Sequence, residues 1–255
     1  MKNQYILTPF FLDKPLKGLK IRAEKGWILN SPKTSGNDSQ SRMSVIHREL
    51  ARQVEKTVKE GKRPVSIAGD CCTAIGVLAG LQRAEINPTL FWFDAHGDFN
   101  TWKTTPSGFI GGMPLAMLVE RGDQRMPKAV NLHNLPEKQV IMCDGRALDP
   151  GECKLLKKSK VIHLTDAAYL LNYPFPSGPL WVHFDTDILP VEEAPAMNYP
   201  AHSGAPSSVI ESVFRRLAQT NHVVAVSVSS WNPVLDSAGK SERVCMGLVE
   251  RLVEF

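Results

Sequence analysis

The 255-residue chain, 43% hydrophobic, can bury a sizeable core and falls within the range of one large domain spanning 1–255. Its 30 basic and 26 acidic residues leave a net charge of +4, too mild a surplus to imply nucleic acid, and no basic run is interleaved with aromatics. No window approaches the ~20 apolar residues of a membrane span, no leader pattern follows Met1, and Cys71, Cys72, Cys143, Cys153 and Cys245 show no CxxC spacing that would suggest a disulfide framework or structural zinc. A soluble, cytoplasmic protein with reduced thiols and no membrane partner is expected.

In chain order, a helix is expected over 42–60, then a strand over 63–68 and a helix over 72–85 with Leu78, Leu81 and Gln82 at helical spacing. The breaker Asn87-Pro88 precedes a strand over 89–94. A loop rich in Gly, Pro, Ser and Thr then runs to Gly112, and a helix over 113–119 follows with Pro114 in its first turn. Strands are expected over 139–144, 160–164, 180–185 and 222–229, and helices over 206–219, with a serine cap, and 240–253. Strands alternating with helices imply an α/β fold with a parallel sheet covered on both faces. Two long irregular stretches stand out, 27–41 and 189–205, and the second should overhang the end of the strand over 180–185.

Two strand ends carry clustered ligands. Phe91-Trp92-Phe93 leads into Asp94, His96 and Asp98, three metal-capable side chains at alternate positions, which share a face on extended backbone. Hard oxygens with one imidazole suit Mn²⁺, Zn²⁺ or Fe²⁺ better than Ca²⁺. Roughly 90 residues later a second apolar run ends in Asp185 and Asp187, and in a parallel sheet such strand ends meet in one crevice. Four carboxylates crowded together repel unless cations neutralise them, which argues for two metal ions. In isolation, the first motif reads more readily as a solvated turn than as a metal site; Asp185 and Asp187 reverse that balance.

These motifs resemble those of the ureohydrolase family, which contains arginase, agmatinase and formiminoglutamase, and most closely its arginase branch. The family's Asp-Ala-His-x-Asp stands as Asp94-Ala95-His96-Gly97-Asp98 and its Asp-x-Asp as Asp185-Thr186-Asp187. Ala68-Gly69-Asp70-Cys71 is similar to Gly-Gly-Asp-His, Gly112-Met113-Pro114 follows at the family distance, and Asn100 to Gly108 resembles the arginase substrate loop. Ser230-Trp231-Asn232-Pro233 stands where the family has Glu-x-Asn-Pro, so the pieces cover roughly residues 60 to 250 in order. The resemblance implies a three-layer α/β/α fold with a mostly parallel sheet, two Mn²⁺ ions and a homo-oligomer. Asp94 and Asp185 would bridge the ions, Asp98 would complete the first and His96 with Asp187 the second. Asn100, Thr105 and Ser107 match positions that hold the amino-acid end of arginine.

The departures from the family pattern fall in the site. Its first-metal histidine is Cys71, a softer ligand that would favour Zn²⁺ or Fe²⁺; as a bland alternative, Cys71 is a buried apolar residue. The proton-shuttle histidine is Gly111, the guanidinium-gripping glutamate is Ser230, and Phe109 replaces an asparagine of the substrate loop. The third aspartate of Asp-x-Asp-x-x-Asp-Pro is missing from 185–190, so the exit from that strand must differ locally. His202, in the overhanging loop, is the candidate replacement shuttle. His183 reads as a core histidine or a partner of Asp185, Asp70 as a group that orients backbone or a ligand, and Asp144, Arg146 and Asp149 as an ion-paired segment.

The leading expectation is a binuclear metal hydrolase that acts on a C–N bond of a guanidino or amidino small molecule. A hydroxide bridging the metals would attack the planar carbon. Arginine is expected to be a poor substrate, because Ser230 leaves a desolvated guanidinium without a carboxylate partner. The alternative is a non-catalytic relative that keeps the fold and uses a degenerate metal site for ligand binding or assembly.

Overall fold

A computed structural model describes residues 1–20 and 22–255. The strands are β1 (Lys2–Thr8), β2 (Phe10–Phe11), β3 (Lys14–Pro15), β4 (Ile28–Leu29), β5 (Lys62–Ala68), β6 (Thr89–Asp94), β7 (Val140–Asp144), β8 (Ile162–Leu164), β9 (Leu180–Asp185) and β10 (Val223–Ser229). The helices are α1 (Lys17–Lys20), α2 (Ser39–Lys59), α3 (Ala74–Arg83), α4 (Pro114–Leu118), α5 (Arg125–Ala129), α6 (Pro150–Lys157), α7 (Ser207–Gln219) and α8 (Lys240–Leu252).

An 8-stranded sheet runs in the order β4-β1-β5-β10-β9-β6-β7-β8, with every neighbouring pair parallel. Its central strands are apolar on both faces because both are covered. Phe91 and Phe93 of β6 face one core, with Val182 and Phe184 of β9 and the apolar stripes of α7 and α8. Leu90 and Trp92 face the other, with Trp181 and helices α2 and α3. This period-2 alternation within a continuous apolar run builds a three-layer α/β/α architecture. Trp92 and Trp181 are fully buried, each removing on the order of 150–250 Å² from water, worth about 4–6 kcal/mol.

The strand order positions the site. β5, β10, β9 and β6 are consecutive neighbours, so the segments after Ala68, Ser229, Asp185 and Asp94 leave the sheet side by side at its carboxyl edge.

Several expectations shift. The helix over 206–219 starts at Ser207 with Pro206 at the cap position and no side-chain cap; the fixed φ of Pro206 takes the place of the expected serine oxygen. Helix α2 begins earlier than expected, at Ser39, because the Asp38 side chain accepts from the Ser41 N–H at 2.9 Å. Segment 27–41 therefore contains β4 and the start of α2. Segment 189–205 carries no helix or ladder strand beyond a single bridge from Met197 to Trp231. β1 and α6 were not anticipated.

Candidate metal centre

Three strand ends, of β6, β9 and β5, supply the acidic cluster and its thiol. At the end of β6, Asp94 accepts the His96 N–H at 2.7 Å through Oδ1 and the Trp92 indole N–H at 3.0 Å through Oδ2. At the end of β9, Asp185 Oδ1 accepts the Asp187 N–H at 2.9 Å. Asp187 links the two ends: Oδ1 accepts the Ala95 N–H at 3.2 Å, and Oδ2 lies 2.9 Å from His96 Nδ1. At the end of β5, the Asp70 carboxylate accepts the backbone N–H groups of Leu12 (2.7 Å) and Cys72 (2.9 Å), which fixes the turn that presents Cys71. Asp70 thus orients backbone, as its position suggested.

Two groups of ligand atoms result, each lying within 4.8 Å of one another: Cys71, Asp94 and Asp185, and Asp94, His96 and Asp187. Asp94 is common to both. Asp98 belongs to neither group but is buried in the same cavity wall, with its backbone at φ 49°. Its Oδ2 has no hydrogen-bond partner among the described residues, and a buried, unpartnered carboxylate oxygen is costly unless something else meets it.

The electrostatics point the same way. Burial, followed by repulsion from neighbouring carboxylates, raises Asp94 to about 6, Asp187 to about 6 and Asp185 to about 7, and it pushes Asp98 well above the usual carboxylate range. Burial works against the His96 imidazolium, but Asp187 and Asp94 outweigh it and hold the group up at about 12. One imidazolium among four buried carboxylates leaves an uncompensated negative charge. The oxygen-rich donor set and the orphaned Asp98 oxygen therefore fit divalent cations.

Cys71 is the exception within this set. Burial and then the nearby carboxylates of Asp185, Asp98 and Asp94 keep its thiol protonated, and its Sγ donates to Asp185 Oδ2 at 2.7 Å. Ser229 donates to the same oxygen at 3.1 Å, as does Ser230. Asp185 Oδ2 thus accepts three donors. His183 stacks on Trp92 with centroids 3.7 Å apart, and its ring nitrogens lie 2.8 Å from Ser227 Oγ and 3.3 Å from Ser229 Oγ. It is both a core histidine, lowered by burial to about 3, and a support for Asp185 through Ser229.

These ligands floor a cavity of about 180 Å³, whose walls include Thr105, Ser107, Phe109, Tyr199 and Ser230. Asn100 also lines it, but both ends of its amide are engaged, Nδ2 with Asp149 at 2.8 Å and Oδ1 with Thr104 at 2.9 Å. His202 is exposed and is not among the lining residues; its backbone carbonyl, not its ring, accepts from Arg146 at 2.9 Å. Its loop does overhang the cavity, through Tyr199. The expected ion pair forms between Arg146 and Asp144.

Four contributors escaped the sequence reading: Phe11, Tyr199, Ser229 and Glu152. Glu152, 2% exposed, accepts the N–H of Phe99 at 2.8 Å and of Asp149 at 3.0 Å, which ties the Asp94–Asp98 segment to the start of α6. Its signal was present as Asp149-Pro150-Gly151-Glu152, an acidic cap followed by proline and a glutamate three residues on. Phe11 and Tyr199 carry no comparable signal.

The model of the arginase family matches residues 26–254. The chain belongs to the arginase family. Arginase from Bacillus subtilis (strain 168) is 31% identical to it over 220 residues, covering 80% of this chain and 73% of that protein. The 1.7 Å crystal structure of arginase from Bacillus subtilis superposes with a TM-score of 0.83 at 25% identity, covering 100% of this chain and 99% of that one. The fold is shared with agmatine ureohydrolase of Thermoplasma volcanium, at a TM-score of 0.71 and 16% identity over 98% of this chain and 89% of that one.

Proposed function

We propose that this chain, working as one domain over 1–255, is a metal-dependent hydrolase that cleaves a C–N bond of a guanidino or amidino compound other than arginine. The observation that carries the reading is a pair of ligand groups sharing Asp94 within one cavity. Asp94 and Asp185 would serve both cations, joined by Cys71 and Asp98 at one and by His96 and Asp187 at the other. Bound cations would supply Lewis acidity and lower the pKa of water toward neutrality. Mn²⁺ follows from the family; a Cys71 ligand would favour Zn²⁺ or Fe²⁺.

The remaining side chains shape and orient. Asp187 holds His96 in place by its Oδ2 contact, and Asn100, tied to Asp149, sets the course of the loop that carries Thr105 and Ser107. The cavity is smaller than the ~300–1,000 Å³ of drug-sized sites, which suits a small substrate. Ser230 supports the exclusion of arginine: it is uncharged, and its hydroxyl is engaged with Asp185. The exposure of His202 removes it from the proposed machinery. Assembly as a homo-oligomer and a cytoplasmic location belong to the same reading.

One observation favours a non-catalytic relative. The three donors on Asp185 Oδ2 occupy an oxygen that a cation would need. Metal analysis of the purified protein, before and after Mn²⁺ or Zn²⁺ loading, decides between the readings, with turnover assayed across guanidino compounds. About two ions per chain and metal-dependent turnover are expected. Zero or one ion with no turnover on any compound overturns the hydrolase reading and supports the alternative.

A further inference from the structure

Part of the cavity wall is aromatic. Phe11 of β2, Phe109 of the 99–112 loop and Tyr199 of the 189–205 loop all line the cavity. Phe11 lies nearly parallel to Phe109 (centroids 6.3 Å, 17°) and to Tyr199 (6.3 Å, 28°), while Phe109 and Tyr199 meet at 5.2 Å and 45°. Three segments distant in sequence therefore form one continuous aromatic surface. Tyr199 is 49% exposed, so the surface reaches from the cavity to solvent, where the far end of a substrate would lie.

The polar groups that could hold an amino-acid end also serve their own loop. Thr105 Oγ1 accepts the Gly108 N–H at 3.1 Å, Ser107 Oγ accepts the Phe109 N–H at 3.2 Å, and both ends of the Asn100 amide are engaged. Among the described residues, no lysine or arginine lines the cavity, whose lining is acidic, so a carboxylate at the far end would meet no countercharge. The loop is also committed to this arrangement at Gly111. A Cβ there would stand 2.3 Å from Cε1 and 2.4 Å from Cζ of Phe109, so the ring covers the space that any side chain at that position would fill.

Resting on the hydrolase reading above, we propose that Phe11, Phe109 and Tyr199 set specificity by stacking, selecting a guanidino or amidino compound whose far end is a flat aryl group without a carboxylate. Aromatic pairs prefer offset or tilted contact at centroid separations of 4.5–7 Å, and a favourable pair contributes up to about tenfold in affinity.

The test is isothermal titration of the purified protein, at its own metal content, with benzylguanidine, n-butylguanidine, 4-aminobutylguanidine and arginine. Benzylguanidine should bind about tenfold more tightly than butylguanidine and more tightly still than arginine. Phe109→Asn and, separately, the more exposed Tyr199→Ala should erase the benzyl-over-butyl preference while circular dichroism reports the fold intact. A preference for 4-aminobutylguanidine or arginine, equal affinities, no binding by any of the four, or a benzyl preference that survives both substitutions overturns the proposal. Turnover is scored separately: the expected affinity order without hydrolysis sinks the hydrolase reading alone, and hydrolysis with the wrong order sinks this proposal alone.

Discussion

Glu152→Ala tests whether a residue that touches no proposed ligand nonetheless sets the metal centre. The Glu152 carboxylate is 2% exposed and accepts two backbone N–H groups, from Phe99 at 2.8 Å and Asp149 at 3.0 Å. Phe99 stands between Asp98 and Asn100, so the first bond fixes the backbone that presents both. Leaving a buried N–H unsatisfied costs about 1–3 kcal/mol, and two such losses sum to about 2–6 kcal/mol. The carboxylate is itself destabilised by burial, which raises its pKa; relief of that penalty keeps the net loss in the lower half of the range, about 2–4 kcal/mol. For a chain of this size, 1 kcal/mol moves Tm by about 2–4 °C, so thermal unfolding of chelator-treated Glu152→Ala should shift down by on the order of 10 °C. Metal affinity should fall by about tenfold, as outer partners of ligands typically do. A variant within about 0.5 kcal/mol of the parent, with unchanged metal affinity, would refute the argument that Glu152 holds the 94–100 segment in place.

Other outcomes follow from the same geometry. Asp98→Asn replaces a buried carboxylate whose Oδ2 is unpartnered with a neutral amide: urea unfolding with chelator should show a gain of about 1 kcal/mol or more, while metal affinity falls by at least about tenfold. Metal-free protein should lose stability as pH rises from about 4 to 7, because Asp94 and Asp187 (about 6) and Asp185 (about 7), raised by burial from 3.8, keep protons in the fold that the unfolded chain has released. Each such group contributes about 1.4 kcal/mol per pH unit within its window, and His47 and His183, lowered by burial to about 3, offset part of this below pH 6.5; greater stability at pH 8 than at pH 5.5 with chelator present would contradict the signs. Gly111→Ala should force the Phe109 ring off Tyr199 and cost about 1–2 kcal/mol, and a double-mutant cycle with Phe109→Ala should recover most of that loss.

The metal centre was legible because two features coincide at β6 and β9: apolar runs that must be buried on both faces, and ligand-capable residues at the first positions past them. Strand ends in a parallel sheet share an edge, so the convergence of Asp94 and Asp185 follows without knowing the strand order. β1 was illegible for the converse reason. Lys2-Asn3-Gln4 begins the strand polar and outward, and only Ile6 and Leu7 of its apolar residues reach the core. Helix α6 is eight residues with two lysines, too short for its period to stand out. The aromatic wall is a purely tertiary object: Phe11, Phe109 and Tyr199 lie in a two-residue strand and two loops, and no local pattern relates them.

The positions at which the sequence departs from the arginase motifs it resembles are physically coupled. At one end of the cavity, Phe109 lies where a side chain at 111 would project, so these two positions, both departures from the motifs the sequence resembles, pack as one unit. At the other end, Cys71, Ser229 and Ser230 all donate to Asp185 Oδ2, so a small thiol in place of an imidazole and a hydroxyl in place of a carboxylate satisfy the same oxygen. A glutamate at 230 would set a second carboxylate against Asp185 where a donor now stands, and like charges at that distance raise one another's pKa. Restoring a single family residue therefore breaks an existing contact before it makes a new one. Gly111→His without a change at Phe109, or Ser230→Glu without a change at Cys71, should yield a less stable protein with no gain in arginine hydrolysis. Only the paired replacements, Phe109→Asn with Gly111→His and Cys71→His with Ser230→Glu, should move the site toward arginine, and full arginine turnover from any single replacement would show that the contacts act independently.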